Sequence, residues 1–257
     1  MNRDKTIEAF KDYISDYDCD DPQVKFKIEH TYRVAELSGI IADSIDGIPA
    51  KSSNLCWLIG LLHDIGRFEQ LRRYGTFSDS QSVDHAELGA DILFKEDVIE
   101  KFLQQQLTDM SIEQEKSIIE LAIRNHNKYR LPEGLNETEL FFCNIIRDAD
   151  KIDIFKVVCE TPYELRMSRN EDESSIPARE EVMKAVHNHT SVRKAPNMTS
   201  FETTIMGCAM AFDIVFDKSK EVIIQQGYLK QMLSFEPESA VQKQQMKMLR
   251  EELSYLC

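Results

Sequence analysis

Four imidazoles and two carboxylates carry the chemistry open to this chain: His30, the adjacent pair His63-Asp64, His85, His126 and Asp150, in that order. Imidazole and carboxylate together suit Fe, Mn, Zn, Ni or Co better than Mg or Ca. A carboxylate offers two oxygens, so an acidic residue directly after a ligating histidine can bridge two ions. Bridged ion pairs are suited to hydrolysing phosphate esters. The residue types therefore point to metal-dependent phosphate-ester hydrolysis, with Asp64 as the bridge. Arg67, three residues past Asp64, adds a permanently charged fork that can hold two phosphate oxygens.

Helices have to position these groups, because helical periodicity dominates and no alternating strand is evident. Residues 6–17 read as an amphipathic first helix. Asp21-Pro22 is a start signal for a long second helix, with Asp at the cap and Pro at the first position. That helix carries His30 and fades near Asp46-Gly47. Ser53 or Asn54 caps the next, whose apolar run 55–62 delivers His63-Asp64 into the interior, with Gly66 placed to stop it. Residues 67–82 read as a basic, turn-rich stretch. Helices over 84–94, 112–129 and 137–159 carry His85, His126 and Asp150. Residues 169–175 read as a polar loop, followed by helices at 178–188, 200–225, 228–234 and 238–256. Without repeats, low-complexity tracts or a linker-like composition shift, the expectation is one all-α domain over 1–257, with a core at 20–160 and a C-terminal helical extension at 161–257.

Five segments carry a family likeness: His30-Thr31-Tyr32-Arg33-Val34, His63-Asp64-Ile65-Gly66-Arg67, Asp84-His85-Ala86-Glu87-Leu88-Gly89, Asn125-His126 and Asp148-Ala149-Asp150-Lys151-Ile152-Asp153. In this order they resemble the HD domain superfamily, over residues 29–153. The resemblance implies an all-helical bundle that is most often a metal-dependent phosphatase or phosphodiesterase, binding one divalent transition-metal ion or two. His30, His63, Asp64 and Asp150 match the ligands of mononuclear members, and His85 and His126 stand where binuclear members have additional histidines. Asp150 is preferred to Asp148 because the family places its last ligand after a small apolar residue and before a basic one. Asp148 and Asp153 then become supporting groups, Asp148 alternatively facing solvent. Lys151 joins Asp64 and Arg67 as a catalytic candidate, with Arg72, Arg73, Arg193 and Lys194 weaker. His187 and His189 fall outside the motifs and read as surface or substrate-loop residues. Mixed-valence di-iron oxygenases, such as myo-inositol oxygenase, resemble the same six-ligand set, and non-catalytic regulatory modules share the fold. The Gly-Tyr-Pro signature of the cyclic-di-GMP phosphodiesterases is absent: His126 is followed by Asn127-Lys128-Tyr129-Arg130-Leu131-Pro132.

The chain has 257 residues, 42% of them hydrophobic, and a formal net charge of −14. Such acidity argues against nucleic acid or an anionic membrane as the main partner. A small phosphorylated substrate stays compatible, because bound ions supply positive charge that the net count misses. The six cysteines are scattered, as reduced thiols in a cytosol are. No apolar run follows the first five residues, and the longest nearly apolar stretch, 205–216, reads as a buried helix too short to span a bilayer. The expectation is a cytoplasmic enzyme of undetermined oligomeric state.

Overall fold

Pro22 has no amide to leave unpaired, and the Asp21 carboxylate accepts a hydrogen bond from the Gln23 amide at 2.6 Å. The second helix therefore starts where the sequence indicates. The computed structural model describes residues 1–47, 50–103, 107–160 and 175–257. These residues fold into helices joined by turns, with no strand among them, so the chain is all-α. In chain order come α1 (Arg3–Ile14), α2 (Pro22–Asp43), α3 (Ala50–Leu62), α4 (Ile65–Tyr74), α5 (His85–Lys95), α6 (Ile112–Asn125) and α7 (Glu137–Glu160). The described residues fall into two compact units, Met1–Asp150 and Lys151–Cys257, and α7 runs through the division.

In the first unit α3 is the central helix. Leu55, Cys56, Trp57, Leu58, Ile59, Leu61 and Leu62 are all buried. Each large apolar side chain among them is worth roughly 1.5–3 kcal/mol by burial. α2 packs along α3, α3 also meets α6, and α4 and α6 both pack on α5. Two of these crossings are set by glycine. A Cβ at Gly60 would lie 2.7 Å from the Ala35 Cα and 2.8 Å from the Ser38 Oγ. A Cβ at Gly66 would lie 2.3 Å from the His85 oxygen and 2.5 Å from the Gly89 nitrogen. Only hydrogen fits at either place, so α2 meets α3, and α4 meets α5, almost backbone to backbone.

Here the structure departs from the expectation. Gly66 does not end the apolar helix; α3 stops at Leu62, and Gly66 lies in the first turn of α4. The stretch read as turn-rich is therefore helical from Ile65 to Tyr74. Its local logic is an ionic one: Glu69 is buried and pairs with both Arg72 and Arg73. The turns come only afterwards, ending in a short 3-10 turn at Asp79–Gln81.

The second unit contains the helices Glu180–His187, Ser200–Ala209, Asp217–Gln226, Tyr228–Leu233 and Ala240–Glu252. Val182, Val186, Phe201, Ile205, Cys208, Leu229, Met246 and Leu249 form its buried interior. Thr199 and Glu202 make a capping box at the start of Ser200–Ala209, and Arg179 binds the buried Glu202 carboxylate. The helix expected over 200–225 is two helices. Ser200–Ala209 passes into a 3-10 turn at Met210–Asp213, and an extended Ile214 and Phe216 precede Asp217–Gln226. The polar loop expected at 169–175 lies outside the described residues except at its end. Among the described residues, no helix is long and apolar enough to cross a membrane.

Candidate metal centre

The elements converge on one buried polar cluster inside the first unit. α2 contributes His30, the turn after α3 contributes His63 and Asp64, α5 opens with His85, α6 ends at His126, and α7 supplies Asp150. The four histidines and Asp64 are buried, and Asp150 is 17% exposed at its side chain. Asp64 occupies the N-cap position of α4, yet its side chain makes no cap hydrogen bond. An aspartate there would ordinarily bind the free amides of the first turn; this one faces the imidazoles instead.

The two oxygens of Asp64 face different partners. Oδ2 lies 3.5 Å from His30 Nε2 and 3.6 Å from His63 Nε2. Oδ1 lies 3.2 Å from His85 Nε2 and 3.7 Å from His126 Nε2. Asp150 Oδ1 closes the first group, 3.3 Å from His30 Nε2 and 3.8 Å from His63 Nε2. Three sets of ligand atoms are mutually close enough to share an ion: His30, His63 and Asp64; His63, His126 and Asp150; and Asp64, His85 and His126.

Hydrogen bonding on the far side of the rings fixes what they offer. His63 Nδ1 donates to the Gly60 carbonyl at 2.7 Å, and His126 Nδ1 donates to the Ile123 carbonyl at 2.7 Å. A carbonyl only accepts, so in the neutral rings Nε2 is a lone pair. Burial pushes His63 down to about 4, against the opposing pull of Asp64 and Asp150, so this ring is neutral near pH 7. Its Nε2 nevertheless sits 3.3 Å from His30 Nε2, and His85 Nε2 sits 3.0 Å from His126 Nε2. The lone pairs of His63 and His126 also face the Asp64 and Asp150 oxygens, at 3.6–3.8 Å, and such a buried gathering of acceptors is what a cation satisfies. The residues present therefore fit a divalent transition-metal ion, for which imidazole and carboxylate donors are suited.

The carboxylates are prepared to act as anions. Burial alone would raise the Asp64 pKa, but Lys27 and the surrounding histidines overcome it and hold the group well below the usual carboxylate range. Asp150 is likewise held down, against burial, by His30 and His63. Asp79 accepts from His85 Nδ1 at 2.7 Å, the carboxylate–histidine arrangement that orients a metal-binding ring. Asp79, Asp84 and His85 also form a close group, but its oxygens are already spoken for. Asp79 takes Arg67 and Gln70, while Asp84 caps α5 and binds Asn127 and Lys128. That group is an orienting ring behind His85, hemmed in by cations.

Six residues singled out as ligands from the sequence thus lie together. Arg67 lies beside them: Nη1 donates to the Phe77 carbonyl at 2.6 Å, to Gln70 and to Asp79, while Nε is buried without a hydrogen-bond partner, 3.6 Å from Asp64 Oδ1. Lys151 follows Asp150 on α7 and is half-buried; at about 100° per residue it leaves the helix on another face. Asp148 and Asp153 are buried, so the solvent-facing alternative for Asp148 is excluded. Arg72 and Arg73 are exposed and bound to Glu69. Arg193, Lys194, His187 and His189 are exposed, and His189 pairs with Glu252 and stacks on Phe212.

Besides Asp79, three contributors have no counterpart in the sequence reading. Lys27 Nζ lies 2.7 Å from Asp64 Oδ2; the signal available was its place one helical turn before His30. Gln70 is fully buried and donates to Asp79, Ser82 and Val83, pinning the turn that carries Asp79. Arg147, one turn before Asp150, donates to the carbonyls of Asn125, His126 and Lys128 and so clamps the end of α6.

Residues 28–154 match the family model described as the HD domain. No match was found among curated proteins or among solved structures. The matched segment holds all six converging imidazole and carboxylate residues, and residues 28–154 are thereby an HD domain.

Proposed function

We propose that the chain is a metal-dependent phosphohydrolase that uses two divalent transition-metal ions to cleave a small phosphorylated substrate. The observation that carries this reading is the division of Asp64, one oxygen facing His30 and His63, the other facing His85 and His126. HD domains are mostly those of metal-dependent hydrolases, which agrees with it. Ions held there would supply a water acidified toward neutral pH and positive charge for the phosphoryl oxygens. In this reading His30, His63 and Asp150 would hold one ion and His85 and His126 the other, with an oxygen of Asp64 available to each.

The chain's own groups do the rest. The Gly60 and Ile123 carbonyls keep His63 and His126 in the ligating tautomer, and Asp79 does the same for His85. Arg67 presents its Nε side toward Asp64, where it can stabilise charge growing on a phosphoryl oxygen, while Nη1 secures the Phe77–Asp79 turn beside it. Burial of the centre strengthens each of these interactions over its value in water.

Protein loaded with Mn, Ni or Co should release phosphate, or open a phosphodiester, from at least one of a panel of phosphomonoesters, cyclic nucleotides and nucleoside triphosphates. Metal analysis of the same sample should give about two ions per chain. Oxygen uptake by iron-loaded protein, with no hydrolysis by any loaded form, would replace this reading with an oxygenase.

A further inference from the structure

Lys27 is a cation inside the metal centre that no ligand role explains. Its ammonium lies 2.7 Å from Asp64 Oδ2, on the oxygen shared with His30 and His63, and its side chain is 15% exposed. Arg67 takes the opposite side of the same carboxylate, with Nε 3.6 Å from Oδ1. Both cations flank one aromatic ring: Lys27 Nζ is 5.8 Å and the Arg67 guanidinium carbon 5.9 Å from the centre of Phe77. Lys27, Phe77 and Arg67 therefore form one side of the centre, with a positive charge at each end.

The two cations differ in how firmly they are held. Arg67 is tied by Nη1 to a carbonyl, an amide and a second carboxylate. Lys27 has the Asp64 oxygen and the Phe77 face, at the end of a flexible four-carbon stem. An ion bound between His30, His63 and Asp64 needs the oxygen that Lys27 holds, and it repels the ammonium. The ammonium then has to find another anion close by. A phosphate drawn to the centre brings oxygens to that place, and Arg67 already stands at the other end of the same wall.

Resting on the phosphohydrolase reading above, we propose that Lys27 is the second phosphate-binding cation of the site, held on Asp64 until a metal ion displaces it. Two consequences separate this from a merely structural ion pair. Lys27 competes with metal, and Lys27 binds phosphate once metal is in place.

The test uses the full chain, Lys27→Met and Lys27→Arg, with Mn2+ and inorganic phosphate as probes. Lys27→Met keeps the stem and removes the charge. It should bind Mn2+ more tightly, by on the order of tenfold, because a competitor for Asp64 is gone. In the Mn2+-loaded state it should bind phosphate more weakly than the parent chain, by roughly tenfold or more for one lost charged contact. Lys27→Arg should recover most of the phosphate affinity, which a packing role would not predict. Should Lys27→Met prove unstable without metal, Lys27→Gln prepared in Mn2+ serves for the phosphate comparison. Unchanged or weaker Mn2+ binding in Lys27→Met, or equal phosphate binding in the parent and in Lys27→Met, overturns the proposal and leaves the phosphohydrolase reading intact. Failure of the Mn2+-loaded parent chain to bind phosphate at all overturns both.

Discussion

Asp64 is the residue on which the centre turns, because each of its oxygens serves a different imidazole group. Asp64→Asn keeps the shape and exchanges one ligating oxygen for a donor that cannot bind metal. Its helical circular dichroism should match the parent chain, its metal content should fall toward one ion, and its hydrolysis should drop by more than about a hundredfold, beyond the loss typical of a supporting residue. Activity within tenfold of the parent would remove Asp64 from the bridging role. Arg67→Ala is expected to retain metal and lose on the order of 2–4 kcal/mol of transition-state stabilisation, as for one oxyanion donor. Because Nη1 also secures Phe77 and Asp79, the turn around Phe77 should become more sensitive to limited proteolysis in the same variant. Loss of metal, or an unchanged kcat/KM with metal retained, would make Arg67 purely structural. At this scale the six ligand types could be read from sequence, since their identity and order carry the chemistry. Lys27, Gln70 and Asp79 could not, because a lysine on a helix and an aspartate in a turn look like solvated polar groups until folding brings them to Asp64 and His85.

Helices α2, α3, α6 and α7 were evident from apolar periodicity, with ends displaced by a few residues; the start signal held at Asp21-Pro22 for α2, whereas Ser53 and Asn54, expected as caps, lie inside α3. α4 was not evident, because its first turn contains a glycine and its last turn two arginines, a composition that also suits turns. What the pattern could not show is why Gly66 is glycine. Its place is a close approach, not a helix stop, and it sets the distance between Asp64 and His85 through the contact of α4 with α5. Gly66→Ala must push the two backbones apart. It should cost roughly 1–3 kcal/mol in unfolding free energy, as overpacking does, and weaken metal binding beyond what that loss of stability explains. Gly207→Ala is the control: its Cβ would meet only the flexible end of Met232 at 3.1 Å, so metal affinity should be unchanged. Equal metal affinity in both variants would show that the crossing does not set the centre. Arg147→Met tests the end of α6. Three carbonyls lose a charged donor, so stability should fall by about 2–3 kcal/mol, and His126, next to the released segment, should be the ligand that loosens first, seen as loss of one ion before the other on titration with chelator.

For the whole molecule, the all-helical class was plain from periodicity, whereas the division at Asp150 falls inside a continuous helix and leaves no mark in composition. The net charge of −14 describes the surface more than the centre, where Lys27 and Arg67 already sit against Asp64. Chelation should therefore abolish hydrolysis without unfolding the chain. Helical circular dichroism should persist, and Tm should fall by roughly 5–10 °C relative to protein in a hundredfold excess of metal over Kd. Collapse to an unfolded spectrum on chelation would mean that metal, and not packing, holds the first unit together. The glycine crossings bear on this as well. Because bare backbones meet at Gly60 and Gly66, the spacing between ligand-bearing helices is fixed before any ion arrives, and an incoming ion inherits a cage it did not shape. Ions of similar charge and donor preference can then trade places without remodelling the protein, and which of them a given molecule carries is decided by supply.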